Sequence, residues 1–177
     1  MIRLRPATAA DIPVLDHWDA QPHVIAAIGD DDSDEWADEI ATADGFDWQE
    51  ILIAELDGRP IGVIQIIDPA REQTHYWGDC EPDLRAIDIW IGEAEDLGRG
   101  HGTVMMEQAL ARCFDPPEVR AVLIDPLASN VDAQRFYRRI GYVEVGPRRF
   151  GTDDCIVMRI EREAWAAART GGQSPSE

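Results

Sequence analysis

Three glycines alternate with other residues in Leu97-Gly98-Arg99-Gly100-His101-Gly102-Thr103, between an apolar run and a segment of helical spacing. No other feature constrains the fold as much. A strand must enter this turn and a helix must leave it. Alternate glycines let a backbone approach a phosphate closely, and N–H groups at a helix start favour anions. The same turn also serves as a purely structural connection, and the loop's own residues leave both readings open. The Gly-Lys-Ser/Thr ending of a Walker loop is absent. Neither the glycine spacing nor the flanking unit suits a dinucleotide fingerprint.

The flanks predict the architecture. Ala86-Ile87-Asp88-Ile89-Trp90-Ile91 lies in a strand predicted over 84–92. After the turn, Val104, Met105, Ala109, Leu110 and Cys113 recur at helical spacing, which predicts a helix to about residue 114. At the start, alternation over 2–5 predicts a half-buried strand. Thr8-Ala9-Ala10-Asp11 offers an N-cap for a helix over 11–19. Residues 23–48 read as a helical region carrying Trp36 and Ile40, with loops around an acidic run. Strands over 51–56 and 61–67 form a hairpin, with Asp57-Gly58-Arg59-Pro60 as its turn. Residues 69–83 are polar and aromatic and predict a loop. A strand over 119–124, a short helix over 130–140, and strands over 142–145 and 155–160 complete the order. Residues 1–168 read as one domain and 169–177 as a disordered tail. Strands and helices in this order predict a mixed α/β or α+β layout around one sheet.

Charge narrows the partners. The formal net charge is -19, and all sixteen basic residues are arginine. No Lys or Arg occurs between Pro6 and Gly58, a stretch holding Asp30, Asp31, Asp32, Asp34, Glu35, Asp38 and Glu39. Such a field repels nucleic acid and attracts cations, although solubility alone accounts for it equally well. No apolar run is long enough to cross a bilayer, and the first residues lack a signal-peptide stretch, so a cytoplasmic location is expected and no membrane partner. Cys80, Cys113 and Cys155 form neither a metal spacing nor a disulfide framework. His17, His23, His75 and His101 have no metal spacing either, so no metal is expected. Cys113 reads as a core residue.

Two further stretches carry a resemblance. They are Asp125-Pro126-Leu127-Ala128-Ser129-Asn130 and Ala133-Gln134-Arg135-Phe136-Tyr137-Arg138-Arg139-Ile140-Gly141-Tyr142. With the glycine loop, they resemble the GCN5-related N-acetyltransferase (GNAT) family. That family's acetyl-CoA loop reads Arg/Gln-x-x-Gly-x-Gly/Ala. Here Leu97 departs from the first slot, while Gly100 and Gly102 fill the small positions. The text from Glu81-Pro82-Asp83 through Asp88, with Pro117-Glu118-Val119 and Asp125, is most similar to aminoglycoside 6'-N-acetyltransferases. The N-terminal third matches less clearly.

The resemblance implies an α+β GNAT fold. Its central twisted sheet is mostly antiparallel, splayed at the cofactor site and flanked by helices. It implies acetyl-CoA as cofactor and a cationic aminoglycoside as substrate, with direct attack in a ternary complex. Asp88 would bind the reacting amine and accept its proton. A buried paired Asp with only a structural role is the other reading of that residue. Tyr137 would protonate the departing thiolate, with a core aromatic as the alternative. Leu97, Gly98, Arg99, Gly100, His101, Gly102 and Thr103 would cradle the cofactor phosphates. Backbone groups near Trp90 and Ile91 would hold the pantetheine arm, and Asn130 would contact it or order the splay. Asp125, Asp153 and Asp154 would meet distant amines, although turns favour Asp in any case. Tyr76, Trp77 and Glu81 would face the acceptor. Another small amine, a protein N-terminus, or a non-catalytic acyl-CoA sensor are the competing readings. The sequence does not distinguish a monomer from a homodimer.

Overall fold

The computed structural model describes residues 1–28 and 36–170. The acidic run Asp30 to Glu35 and residues 171–177 of the expected tail lie outside the described residues, whereas Arg169 and Thr170, expected in that tail, end a helix. Strand β1 spans Ile2–Pro6, and helices α1, α2 and α3 follow at Ile12–Asp19, Pro22–Ile28 and Trp36–Gly45. Strands β2 (Gln49–Leu56), β3 (Arg59–Ile67) and β4 (Leu84–Ile91) come next. Helix α4 (His101–Cys113), strand β5 (Ala121–Ile124) and helix α5 (Val131–Ile140) complete the middle. Strands β6 (Val143–Phe150) and β7 (Asp153–Glu161) precede helix α6 (Arg162–Thr170).

The seven strands make one sheet in the order β1-β2-β3-β4-β5-β7-β6. All neighbours run antiparallel except β4 and β5. This is the mostly antiparallel α+β architecture expected from the sequence. The strands β2 and β3 are near-continuous apolar runs because both of their faces are covered. Ile51, Ile53 and Val63 pack with Leu15, Trp18, Trp36 and Ile40 of α1 and α3. Leu52, Ala54, Ile64 and Ile66 pack on the other face with Met105, Met106, Ala109 and Leu110 of α4. A third cluster joins Leu84, Ala86, Ala121, Leu123, Phe150, Cys155 and Trp77. Cys113 is buried, as expected of a core residue.

Several element bounds differ from the sequence expectations. The polar turn expected between the last two strands shrinks to Gly151 and Thr152, because the β6–β7 ladder runs from Val143↔Arg159 to Phe150↔Asp153. Asp153 and Asp154 therefore open a strand. Helix α6 carries no apolar periodicity that the sequence reading used. Tertiary contacts fix it instead: Arg162 donates to the carbonyls of Val119 (2.6 Å) and Phe114 (2.8 Å), and Trp165 lies 5.1 Å from the Phe114 ring.

The expected N-cap before α1 takes a different form. Asp11 closes a 3-10 turn over Ala9–Asp11, where its carboxylate accepts from the Thr8 N–H at 2.8 Å. The same carboxylate takes both ends of the Arg5 guanidinium, at 2.8 and 2.7 Å. This clamp fixes where the chain leaves β1 for α1. The Arg5 hydrogen bonds hold the Asp11 carboxyl below the usual carboxylate range, against the opposing push of burial. Its stabilisation is therefore present above the unfolded value of about 3.9 and is lost as pH falls through the lower folded value. Asp11→Asn should cost about 1–3 kcal/mol at neutral pH, read by urea denaturation. The gap to the wild type should close in strong acid; a gap that persists there would rule out a charge-based clamp.

Candidate functional site

The site begins where two strands part. The strands β4 and β5 pair in parallel only from Leu84↔Ala121 to Ala86↔Leu123. Strand β3 stays paired with β4 as far as Gly62↔Ile91. Beyond Ala86, β4 thus has a strand on one side and a gap on the other. The Gly92 N–H donates to the Ile61 carbonyl at 3.0 Å, which sets the phase of the antiparallel ladder. In that phase, Trp90 and Asp88 exchange backbone bonds with Val63 and Gln65 of β3, while Ile89 and Ile91 turn theirs to the gap. The sequence placed an arm-holding role at Trp90 and Ile91. The ladder gives that geometry to Ile89 and Ile91, because the Trp90 N–H is committed to β3. The His23 ring also meets the Ile91 carbonyl, at 2.9 Å.

At the far end of β4, a short turn over Ala94–Asp96 leads into the glycine loop and α4. Gly98 and Gly100 sit at φ 69° and 82°, a left-handed conformation that disfavours any side chain. Gly100 occupies the N-cap position, so α4 starts at His101 with its N-terminal N–H groups beside Arg99 and Gly100. The loop is anchored from below by Asp96, whose buried carboxylate accepts a two-pronged bond from Arg59 at 2.8 and 2.9 Å. Those bonds keep the Asp96 carboxyl below its ordinary range. The sequence reading missed this anchor. The Asp-Gly-Arg-Pro turn that carries Arg59 lies 37 residues away from Asp96 and gave no signal of the pairing.

The gap gathers the acidic and phenolic groups. Asp88 lies two residues after Ala86 and shares its face of β4. It is exposed, and not buried as expected from its apolar neighbours. The sheet face opens there because β5 has left. Asp125 continues β5 on the same face as Leu123. Tyr137 lies on α5, in the helix-side core, and is only 9% exposed. Burial raises its phenol above the ordinary value, and the charges of Asp88 and Asp125 add to that rise. Tyr76 is 41% exposed, and its hydroxyl donates to Asp125 Oδ2 at 2.6 Å. Its ring stacks on Phe150 at 4.4 Å and 7°. Burial, then Asp125 and Asp88, push its phenol up as well.

Several of the other expected site residues are held by partners of their own. Trp77 is 4% exposed and packs edge-on against Phe150 and Tyr76, so it is a floor of the loop and no open platform. Glu81 lies at the entrance of β4, in ion pairs with Arg120 (2.7 Å) and Arg159 (3.3 Å), at the end remote from the glycine loop. Asn130 caps α5, its Oδ1 accepting from the Ala133 N–H at 3.1 Å. Asp153 shares the face of Cys155, toward Phe150, whereas Asp154 turns to the opposite face, 3.8 Å from Arg149. From the N-terminal third, Trp36 reaches the cleft wall, 5.9 Å from the Trp90 ring. Sequence reading gave Trp36 only a helical place.

Residues 7–150 match the model of the acetyltransferase (GNAT) domain, and the chain belongs to that family. It is 27% identical to an aminoglycoside N(6')-acetyltransferase type 1 from Klebsiella pneumoniae, over 96% of this chain and 87% of that one. The crystal structure of an aminoglycoside acetyltransferase, AAC(6')-Ib, in complex with coenzyme A superposes with a TM-score of 0.85. Identity there is 26%, covering 96% of this chain and 99% of the other. A spermidine N-acetyltransferase from Vibrio cholerae shares the fold at a TM-score of 0.75 and 16% identity, over 93% of this chain and 98% of that one.

All three tyrosines of the chain, Tyr76, Tyr137 and Tyr142, are raised above the ordinary phenol value, with burial as the leading cause. Near-ultraviolet titration should show almost no phenolate at pH about 10 in the folded protein, and normal ionisation near that pH once it is unfolded in urea. The contribution of these groups to stability is intact below about 10 and is lost as pH climbs toward the raised folded values. A phenolate signal at the ordinary pH in the folded state would contradict the burial of Tyr137.

Proposed function

We propose, from its membership of the GNAT family, that this chain transfers the acetyl group of acetyl-CoA to the 6'-amine of an aminoglycoside within a ternary complex. The observation that carries the reading is the opening between β4 and β5, with the exposed Asp88 on one strand and Asp125, bonded to Tyr76, beyond the end of the other. The similarity to aminoglycoside acetyltransferases over nearly the whole chain supports it.

The residues fit the cofactor. Positive-φ glycines with open space around them precede the first turn of α4, where N–H groups and the helix dipole suit a pyrophosphate. The Ile89 backbone groups and the Ile91 N–H line the gap as a strand edge, a setting for an extended amide arm, while His23 holds the Ile91 carbonyl. When bound there, acetyl-CoA supplies an activated thioester carbonyl.

The chain's own groups then divide the work. Asp88 is exposed and binds the acceptor's ammonium. It orients the amine and takes its proton, directly or through water. An N–H facing the gap from β4 polarises the carbonyl under attack. Tyr137 stays protonated at neutral pH, because its phenol is raised, and holds the proton that the leaving sulfur needs. Asp125 and Asp153 add negative charge for further ammonium groups, which a polycationic aminoglycoside supplies.

Two measurements test this. In a thiol-release screen, kanamycin and tobramycin should be turned over faster than spermidine; turnover of spermidine alone would sink the aminoglycoside reading. Tyr137→Phe should lower kcat by about 10²-fold with KM for acetyl-CoA little changed. An unchanged kcat would remove Tyr137 as the acid.

A further inference from the structure

We infer that Tyr76 is a positioning residue for the acceptor, which it selects by orienting the carboxylate of Asp125 toward the cleft. The inference rests on the proposed reading of the cleft as an amine-acceptor site. Its basis is the way the 69–83 loop is built. Glu72 is a buried carboxylate, 6% exposed, and it accepts from the Thr74 N–H at 2.8 Å and the Thr74 hydroxyl at 2.6 Å. It also accepts from the Tyr76 N–H. His75, between them, is held at φ 54°. A buried anion that gathers three donors over five residues fixes the Tyr76 backbone without help from any ligand.

The ring is fixed as well. It stacks flat on Phe150, and the guanidinium of Arg148 lies 4.6 Å over that same Phe150 ring. Arg148 also donates to the Trp77 carbonyl at 2.8 Å, which ties the loop to β6. Only the hydroxyl is left to act, and it donates to Asp125 Oδ2 at 2.6 Å. A phenol in this role has a particular consequence. It orients the carboxylate with a charge-assisted bond and leaves the negative charge in place for an ammonium. An arginine there would orient the carboxylate and cancel its charge. Because the Tyr76 phenol is raised, it remains a donor throughout the neutral range.

The test is a double-mutant cycle on the full chain with acetyl-CoA saturating. Tyr76→Phe keeps the stack on Phe150 and deletes only the hydroxyl. It should raise KM for kanamycin about tenfold, with kcat changed less than about twofold. In an Asp125→Asn background, Tyr76→Phe should add nothing. Thermal unfolding of both variants checks that the fold survives. Additive losses in the cycle, or a fall in kcat at constant KM, would overturn the inference. If the wild type turns over spermidine and not kanamycin, the aminoglycoside reading fails, and the same cycle read on spermidine still decides the role of Tyr76. Turnover of neither would overturn both.

Discussion

Strands β4 and β5 run side by side for the three pairs from Leu84↔Ala121 to Ala86↔Leu123 and then part, because each is bound to a different partner. The end of β4 belongs to the N-terminal helices. Any Cβ at Gly92 would lie 2.1 Å from the Trp18 ring, so that ring fills the space the glycine leaves. Trp18 Nε1 donates to Glu93 at 3.2 Å, and His23 holds the Ile91 carbonyl. The end of β5 belongs to β7. The Ile156 N–H donates to the Pro126 carbonyl at 2.9 Å, and Leu127 bridges Cys155. Pro126 has no N–H with which to rejoin β4. The gap is thus a by-product of two good attachments, and it leaves strand-edge groups open at the centre of the molecule.

That gap joins two regions of opposite electrostatic demand. Its acidic wall suits a polycation, and the strongly negative net charge of the chain extends the same field outward. In the proposed reading the glycine loop holds an anion against that field. It does so with local dipoles, the N–H groups at the start of α4, which act at short range where the global field is outweighed. Between the two regions sits Tyr137. Burial raises its phenol first, and the charges of Asp88 and Asp125 raise it further. An ammonium docked on either carboxylate offsets the second effect and leaves the first. In the proposed reaction the acid, Tyr137, therefore feels the same charges that would receive the amine.

The strand, glycine turn and helix to which the cofactor role is assigned were legible in the sequence because they are local. Glycine spacing, a preceding strand and a following helix are contiguous, and φ values above zero at Gly98 and Gly100 are what those glycines are for. The acceptor half is assembled from afar, and its reading was uneven. Asp88 was read correctly as a strand residue, but its exposure depends on where β5 stops, which no local pattern records. Trp77 and Glu81 were placed at the cleft by their composition. Packing buries the first, and Arg120 and Arg159 retain the second. Asn130 was read through its family position, and its side-chain oxygen caps a helix. The Arg59–Asp96 anchor and helix α6 rest on tertiary partners alone, so hydrophobic periodicity could not reveal them.

The choice of arginine for every basic side chain fits the same economy of charge. The guanidinium is a planar fork that stays protonated and bonds carboxylates in pairs. Arg5 on Asp11 and Arg59 on Asp96 use that geometry to fix a chain turn and the glycine loop. Arg162 spreads the same fork over the carbonyls that end α4 and lead into β5. Arg120 and Arg159 share Glu81 at the entrance of β4, away from the gap. Lysine would supply positive charge but not the two-pronged fit, and its neutral amine is a nucleophile toward a thioester. A chain without lysine has no lysine amine to compete with the acceptor for the acetyl group. In these ion pairs positive charge serves the scaffold, and in the proposed reaction the nucleophilic nitrogen comes from the acceptor.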